Sequence, residues 1–139
     1  MAVARYLADK SALARLHLPI VQARLLPLVE SGLVATCTLV DLEILFSTRT
    51  KTEYAEVRAE RRGFEQLDIE QTDWDRAADV QALLAAQGRT RAAGIPDLLL
   101  AAVAERHRVI LLHYDHDFDV VAAVTAQPAE WVVRRGSVP

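Results

Sequence analysis

Short apolar runs alternate along this chain with stretches in which apolar residues recur every three or four positions. The runs predict five strands, at residues 3–8, 33–37, 67–70, 109–113 and 131–133. Between the runs, the recurrence of apolar residues every three or four positions indicates amphipathic helices. Strands that alternate with helices are typical of an α/β fold, so we expect one domain with a mostly parallel central sheet flanked by helices. The first run is interpreted as a buried strand and not as a signal peptide, because Asp9 and Lys10 end it early.

Start and stop signals bound the predicted helices. A short turn is expected from Ser11, longer helices at residues 19–31, 40–48, 52–66, 73–87 and 96–107, and a last short helix from Phe118. Gly32 and Gly88 suit the ends of two of these helices, and Thr38 and Thr72 are the expected N-caps of two others. The alternating charges of residues 52–66 predict a solvated helix face with ion pairs between successive turns.

The composition narrows the class of protein. The chain has 139 residues, of which 52% are apolar and 25% charged, as in a globular domain and unlike a disordered tail. The single cysteine, Cys37, excludes an internal disulfide and a zinc site built from cysteines, and it favours a cytoplasmic location. No apolar run is long enough to span a bilayer. The net charge of −3 argues weakly against a pure nucleic-acid-binding module, although arginine, a good phosphate ligand, supplies nearly all of the positive charge.

Acidic residues follow the predicted strands or begin the helices after them. They are Asp9, Glu43, Asp97, Asp115 and Asp117. In parallel α/β sheets, sites form beyond the C-terminal ends of the strands, so these carboxylates are expected at one end of the sheet. Carboxylates held close together repel one another unless a cation neutralises them, and a set of oxygen ligands favours Mg²⁺, with Mn²⁺ as a substitute. Such a cluster suits phosphodiester hydrolysis. Taken singly, the four aspartates are each better explained as helix-cap or turn residues, and what favours a metal site is their coincidence at one end of the sheet.

Four segments carry a resemblance to the PIN-domain ribonucleases, and within them to the VapC toxins of toxin–antitoxin pairs. They are Tyr6-Leu-Ala-Asp9-Lys-Ser11-Ala-Leu13, Val40-Asp-Leu-Glu43-Ile-Leu, Gly94-Ile-Pro-Asp97-Leu-Leu-Leu-Ala-Ala102-Val-Ala and Val109-Ile-Leu-Leu-His-Tyr-Asp115-His-Asp117-Phe118. Each segment alone is permissive, but the four in this order and separation are specific, and the resemblance extends over residues 1–139 as one PIN domain.

The resemblance implies a Mg²⁺-dependent endoribonuclease, the toxin of a type II pair, held inactive by a cognate antitoxin similar to VapB. It assigns a catalytic and metal-binding quartet, made of Asp9, Glu43, Asp97 and Asp115. Asp9 and Asp97 are expected to be the most direct metal ligands. Auxiliary roles fall to Asp117, as a further acid, and to Ser11, as a hydrogen-bonding group within the cluster. Lys10 departs from the family pattern and is expected to be solvated, with a phosphate contact as the alternative.

Further contacts are predicted around this quartet. Arg89 and Arg91, in the loop before Asp97, and His116, between two of the acids, are possible RNA contacts, with an exposed, solvated position as the alternative for each. The helices at residues 19–31 and 40–48 are candidates for an apolar groove that binds the antitoxin. By resemblance we also expect a homodimer.

Other functions remain open at this point. The first alternative is a PIN nuclease for RNA maturation that has no antitoxin, and the second is a non-catalytic module that only binds a partner. The presence of all four acids argues against the second. A phosphatase with an aspartyl nucleophile is excluded, because it needs an acid two residues after Asp9, where this chain has Ser11.

Overall fold

A parallel sheet forms the centre of the computed structural model, which describes residues 3–139. Its five strands are β1 (Tyr6–Ala8), β2 (Val34–Thr36), β3 (Glu65–Gln66), β4 (Ile110–His113) and β5 (Ala129–Trp131). They lie in the order β3-β2-β1-β4-β5, and every pairing is parallel. The predicted α/β fold with a mostly parallel sheet is therefore confirmed. All strands end at the same edge of the sheet, which we call the C-terminal edge.

Helices cover both faces of the sheet. Within residues 3–139 they are α1 (Lys10–Leu13), α2 (Pro19–Glu30), α3 (Thr38–Phe46), α4 (Lys51–Arg61), α5 (Gln71–Ala86), α6 (Ile95–His107) and α7 (Asp117–Thr125). None of the described helices has the length and apolar character needed to cross a membrane.

Two apolar clusters pack against opposite faces of the sheet, because side chains alternate along each strand. Leu7 of β1 lies beside Leu111 of β4 and belongs to the larger cluster, with α5, α6 and α7. The next pair, Ala8 and Leu112, faces the smaller cluster, with α1 and α2. The central part of α6 is buried on all sides, since every residue from 98 to 104 is buried. This packing fixes the position of the N-terminal end of α6, where Asp97 lies.

The predicted boundary between the fourth helix and the third strand is wrong. α4 ends at Arg61 rather than at residue 66, and β3 occupies residues 65–66 rather than 67–70. The chain turns at Gly63, whose N–H donates to the carbonyl of Glu60 at 3.1 Å. β3 is an exposed edge strand of two polar residues, so no apolar run indicates it. Leu67, the apolar residue at which the predicted strand begins, instead follows β3.

The predicted caps and the last strand also need correction. Cys37, not Thr38, is the N-cap of α3, because its backbone is extended while Thr38 is already helical. α5 begins two residues before the predicted start, since Glu70 and Asp73 form a reciprocal capping box and Thr72 lies inside the helix. β5 lies two residues before the predicted residues 131–133.

The charges of α4 do not form the predicted ion pairs between successive turns. Among the described residues, no basic side chain of α4 lies within 4.0 Å of an acidic side chain of the same helix. Arg61 instead turns inward and is 7% exposed. It donates to Asp41 of α3 (2.9 Å) and to Thr36 of β2 (2.7 Å), and its guanidinium stacks on the ring of Phe64. This buried network fixes α4 against α3 and the sheet.

Candidate active site

The predicted acids converge at the C-terminal edge of the sheet. Asp9 directly follows β1, and Asp115 follows β4 with one residue between them. Asp97 and Asp117 lie in the first turns of α6 and α7. Asp97, Asp115 and Asp117 each offer a carboxylate oxygen, and these three oxygens lie within 4.8 Å of one another. Asp9 is close enough for its charge to act on Asp97. Segments far apart in sequence therefore deliver carboxylates to one point.

Asp9 is the most deeply buried acid of the cluster, at 2% exposure. It is the N-cap of α1, where its Oδ2 accepts the N–H of Ser11 at 3.0 Å. The hydroxyl of Ser11 in turn accepts the N–H of Tyr114, just beyond β4, at 2.8 Å. Ser11 therefore joins the end of β1 to the end of β4, and this hydrogen bond holds Asp9 and Asp115 on neighbouring strands in a fixed relation.

Two hydrogen bonds hold Asp117 in the cluster, one to Asp115 and one from Gly94. Its own N–H donates to Asp115 Oδ1 at 2.9 Å, and its Oδ2 accepts the N–H of Gly94 at 3.2 Å. Gly94 precedes α6, and a Cβ at this position would lie 3.3 Å from Asp97 Oδ2. A larger residue would therefore crowd the Asp97 carboxylate. No role for Gly94 is predicted from the sequence, although its place two residues before Pro96 is a visible helix-start signal.

The electrostatics of the cluster are those of crowded, partly desolvated carboxylates. Burial, a hydrogen bond to Asp117 and the charges of Asp9, Asp115 and Asp117 together raise the pKa of Asp97 to about 8. Burial also raises the pKa of Asp9, and the charges of Glu43 and Asp115 add to this effect, while hydrogen bonds from Ser11 oppose it. Without a cation, the cluster therefore holds a proton that isolated aspartates would release.

Glu43 lies at the border of the cluster and forms an ion pair there. Its Oε2 is 3.1 Å from Lys10 Nζ, and its side chain is 18% exposed. This hydrogen bond and the charge of Glu43 raise the pKa of Lys10, and the charges of Asp9 and Asp97 act in the same direction. Lys10 is therefore exposed, as expected for a solvated lysine, and its ammonium also partly neutralises the cluster.

His113 supports Asp115 from the buried side of the sheet. Its Nδ1 accepts the N–H of Asp115 at 3.1 Å, so the ring proton resides on Nε2. Burial lowers the pKa of His113 and keeps the ring neutral. Among the described residues Nε2 has no hydrogen-bond partner, and the rings of Phe118 and Trp131 pack against the imidazole at 5.1 and 5.0 Å. His113 thus fixes the backbone that carries Asp115.

The three predicted RNA contacts lie outside this network. Arg89, Arg91 and His116 are exposed. The Nδ1 of His116 lies 3.5 Å from Asp119 and 3.2 Å from Arg135 and does not contact an acid of the cluster in the described structure. The RNA contacts of these three residues therefore remain predictions.

The donor set fits a hard divalent cation. Every ligand atom that the cluster offers is a carboxylate oxygen, the donor that Mg²⁺ and Mn²⁺ prefer. A bound cation would also remove the repulsion that raises the pKa of Asp97. The site therefore favours metal binding over a set of unconnected cap and turn residues.

The model of the PIN domain family matches residues 6–124. Ribonuclease VapC21 of Mycobacterium tuberculosis is 46% identical over 134 residues, which cover 96% of this chain and 97% of that protein. Ribonuclease VapC51 of the same organism is 41% identical over 134 residues, which cover 96% of this chain and 97% of that protein.

Solved structures show the same fold at low sequence identity. VapBC2 from Rickettsia felis, bound to a DNA fragment from their promoter, has a TM-score of 0.72 at 16% identity, over 90% of this chain and 96% of that one. A toxin–antitoxin complex from Klebsiella pneumoniae has a TM-score of 0.70 at 18% identity, over 93% of this chain and 98% of that one. Together with the close relatives, these findings confirm the resemblance: this chain belongs to the PIN-domain family and, within it, to the VapC ribonucleases.

Proposed function

We propose that this protein is a Mg²⁺-dependent endoribonuclease and the toxin of a toxin–antitoxin pair. The observation that carries the metal dependence is the convergence of Asp97, Asp115 and Asp117, whose oxygens lie within 4.8 Å of one another. Burial, together with these neighbouring carboxylates, raises the pKa of Asp97 to about 8. A purely structural role does not explain why the fold retains this repulsion. The relatives at 46% and 41% identity are named ribonucleases, which supports RNA as the substrate.

The residues that would hold the metal are Asp9, Asp97 and Asp115, with Asp117 as a further ligand. When bound, Mg²⁺ lowers the pKa of a water molecule and neutralises the charge that develops on the scissile phosphate. Ser11 orients Asp9 through the backbone hydrogen bond described above, and Gly94 leaves room for the Asp97 carboxylate.

Glu43 is the acid placed to orient the attacking water, because it lies at the border of the cluster rather than among its closest oxygens. Its ion pair with Lys10 at 3.1 Å holds the carboxylate in place. The side chain of Lys10 is 56% exposed and its ammonium pairs with Glu43 beside the acids, so we assign it a contact with the substrate phosphate.

An apolar hollow beside the acids supports an antitoxin as the partner. Its volume is about 510 Å³, and Lys10 and Glu43 lie at its border. Its walls come from α1, α2, α3 and α4, including Val29 and Phe46, and from Leu16 in the segment between α1 and α2. Phe46 is 84% exposed, which is unusual for a large apolar side chain. An antitoxin segment bound here would exclude RNA from the acids, and a basic side chain of that segment would pair with Glu43. Homodimer formation stays a prediction.

Removal of the metal or of Asp97 is expected to stop RNA cleavage. A chelator should abolish cleavage of RNA by the purified protein, and Mg²⁺ or Mn²⁺ should restore it. Asp97→Ala should lower the rate more than about 100-fold, because it removes a metal ligand. Asp79→Ala, at an exposed position of α5, is the matched control. Cleavage that persists in chelator, or in the Asp97 variant, would contradict the assignment.

Asp97→Asn is expected to stabilise the metal-free protein at alkaline pH. Folding raises the pKa of Asp97 from its ordinary value of 3.8 to about 8. The folded state therefore binds this proton more tightly than the unfolded chain, and stability falls as the pH rises between these two values. The amide keeps the shape without the charge. After allowance for solvent screening, its melting temperature in chelator should exceed that of the wild type by a few degrees, or about 1 kcal/mol, near pH 8.5.

Near pH 4 the two melting temperatures should agree, and Asp79→Asn should leave the melting temperature unchanged at either pH. An Asp97→Asn variant that is less stable than the wild type at both pH values would show that the carboxylates do not repel one another in the folded protein.

Truncation of Phe46 is expected to weaken antitoxin binding without affecting folding. Phe46→Ala removes apolar surface from the border of the hollow, so the affinity for the cognate antitoxin should fall about tenfold or more in a binding titration. Leu83→Ala is the control, because Leu83 is also an exposed apolar side chain, at 44%, and lies on α5. Equal affinities of Phe46→Ala and the wild type would place the antitoxin elsewhere.

A further inference from the structure

A second cleft opens at the C-terminal edge of the sheet, apart from the apolar hollow. It has a volume of about 760 Å³ and lies between α3, α4 and the segment that follows β3. We call it the α3–α4 cleft and define it by six of its lining residues, Leu42, Leu45, Tyr54, Arg58, Arg62 and Leu67.

One face of α4 lines this cleft and carries its positive charge. The residues concerned are Tyr54, Arg58 and Arg62, at intervals of four residues, and Arg61, three residues after Arg58. Residues three or four positions apart lie on the same side of a helix, so they share one face. The glutamates of α4 lie on other faces, and Glu60 borders the apolar hollow instead. The charges of α4 are thus sorted by face, with arginines towards the α3–α4 cleft.

The two carboxylates in the cleft do not compensate Arg58 and Arg62, because both are already engaged by other residues. Asp41 accepts from Arg61 at 2.9 Å and from Gln66 at 2.8 Å. Asp68 accepts from Arg106 at 3.2 Å and lies 3.0 Å from His107. Each acid is therefore neutralised by a residue other than Arg58 or Arg62.

Arg58 and Arg62 are left exposed. Within residues 3–139 no carboxylate lies within 4.0 Å of either guanidinium. Two such guanidinium groups on adjacent helical turns form a site for anions, and arginine binds phosphate through paired N–H donors. The α3–α4 cleft therefore has the charge of a phosphate-binding surface.

A smaller hollow of about 470 Å³ adjoins the cleft and reaches Glu43, at the border of the acidic cluster. Glu43 lines this hollow together with Leu42, Leu45, Phe46 and Tyr54. Leu42, Leu45 and Tyr54 also line the α3–α4 cleft. A chain that leaves the acids past Glu43 consequently meets the ring of Tyr54, which is 39% exposed, before it reaches the arginines. An aromatic ring between an acidic centre and a pair of arginines suits a nucleotide base followed by its phosphates.

We propose that the α3–α4 cleft binds the single-stranded RNA that flanks the scissile phosphate, with Arg58 and Arg62 on its backbone and Tyr54 stacked on a base. This inference rests on the proposed ribonuclease function and names the path of the substrate for that same site. It also explains how a protein with a net charge of −3 holds a polyanion, because the positive charge is concentrated where the strand lies.

Binding of RNA in a cleavage-deficient background tests the proposal. The probe is a labelled single-stranded RNA of about 20 nucleotides, and its dissociation constant is measured by fluorescence anisotropy at several salt concentrations with Mg²⁺ present. Arg58→Ala/Arg62→Ala, combined with Asp97→Asn, should weaken binding about tenfold and reduce the slope of log K against log salt by about 1.4, since each phosphate contact in a single strand contributes about 0.7. Tyr54→Ala should weaken binding about tenfold without changing the slope, because stacking is not ionic.

The matched control removes two arginines from the opposite edge of the sheet. Arg5 precedes β1 and Arg108 precedes β4, and both are exposed. Arg108 has a φ of 58°, so the control is Arg5→Ala/Arg108→Asn, because asparagine tolerates the left-handed backbone. This variant loses the same charge and should keep the salt slope of the parent.

The outcomes separate this inference from the ribonuclease function. If the wild type cleaves RNA but Arg58→Ala/Arg62→Ala binds the probe with unchanged affinity and slope, the RNA path is wrong and the function stands. An equal loss of affinity in the control double variant would also overturn the inference, because the effect would then be one of net charge. If the cleft variant binds RNA normally and instead loses self-association or antitoxin binding, the cleft is a protein interface. A wild type that cleaves no RNA overturns the proposed function itself.

Discussion

Mutual repulsion between carboxylates is the constraint on which the rest of this structure depends. Asp97, Asp115 and Asp117 present oxygens within 4.8 Å of one another, and Asp9 lies buried beside them. Burial and the charges of these neighbours raise the pKa of Asp97 to about 8, which is a cost to the folded state at neutral pH. The fold must therefore supply the stability that holds these groups together, and a divalent cation removes the repulsion when it binds.

The parallel sheet supplies this framework. Because Ala8 pairs with Leu112, the ends of β1 and β4 bring Asp9 and Asp115 to the same edge. The hydrogen bond from Tyr114 N–H to Ser11 joins the two strand ends. α6 contributes the largest share of buried apolar side chains and fixes Asp97 at its first turn. The acids therefore converge because of elements whose stability comes from packing elsewhere in the core.

The sequence predicted those parts of the site that depend on strand ends and helix starts. Asp9, Asp97 and Asp115 follow a buried strand or begin a helix, so their convergence follows from the topology of a parallel sheet. The ion pair of Lys10 with Glu43 was not predictable, since it depends on side-chain rotamers across two helices. β3 was missed because two polar residues on an edge strand carry no apolar signal, and the inward turn of Arg61 was hidden by the alternating charges around it. Site roles of Arg89, Arg91 and His116 stay predictions.

Around the acids, α4 separates two surfaces of opposite character. One of its faces borders the apolar hollow assigned to an antitoxin, and the other carries Arg58 and Arg62 along the cleft assigned to RNA. The apolar hollow reaches Glu43 directly, and a smaller hollow that shares Leu42, Leu45 and Tyr54 with the cleft also reaches it. The most direct test of the metal centre is anomalous diffraction from crystals of the wild-type protein grown with Mn²⁺. The account predicts an anomalous peak within coordination distance of Asp9, Asp97 and Asp115, and a well-ordered cluster with no peak among these carboxylates would contradict it.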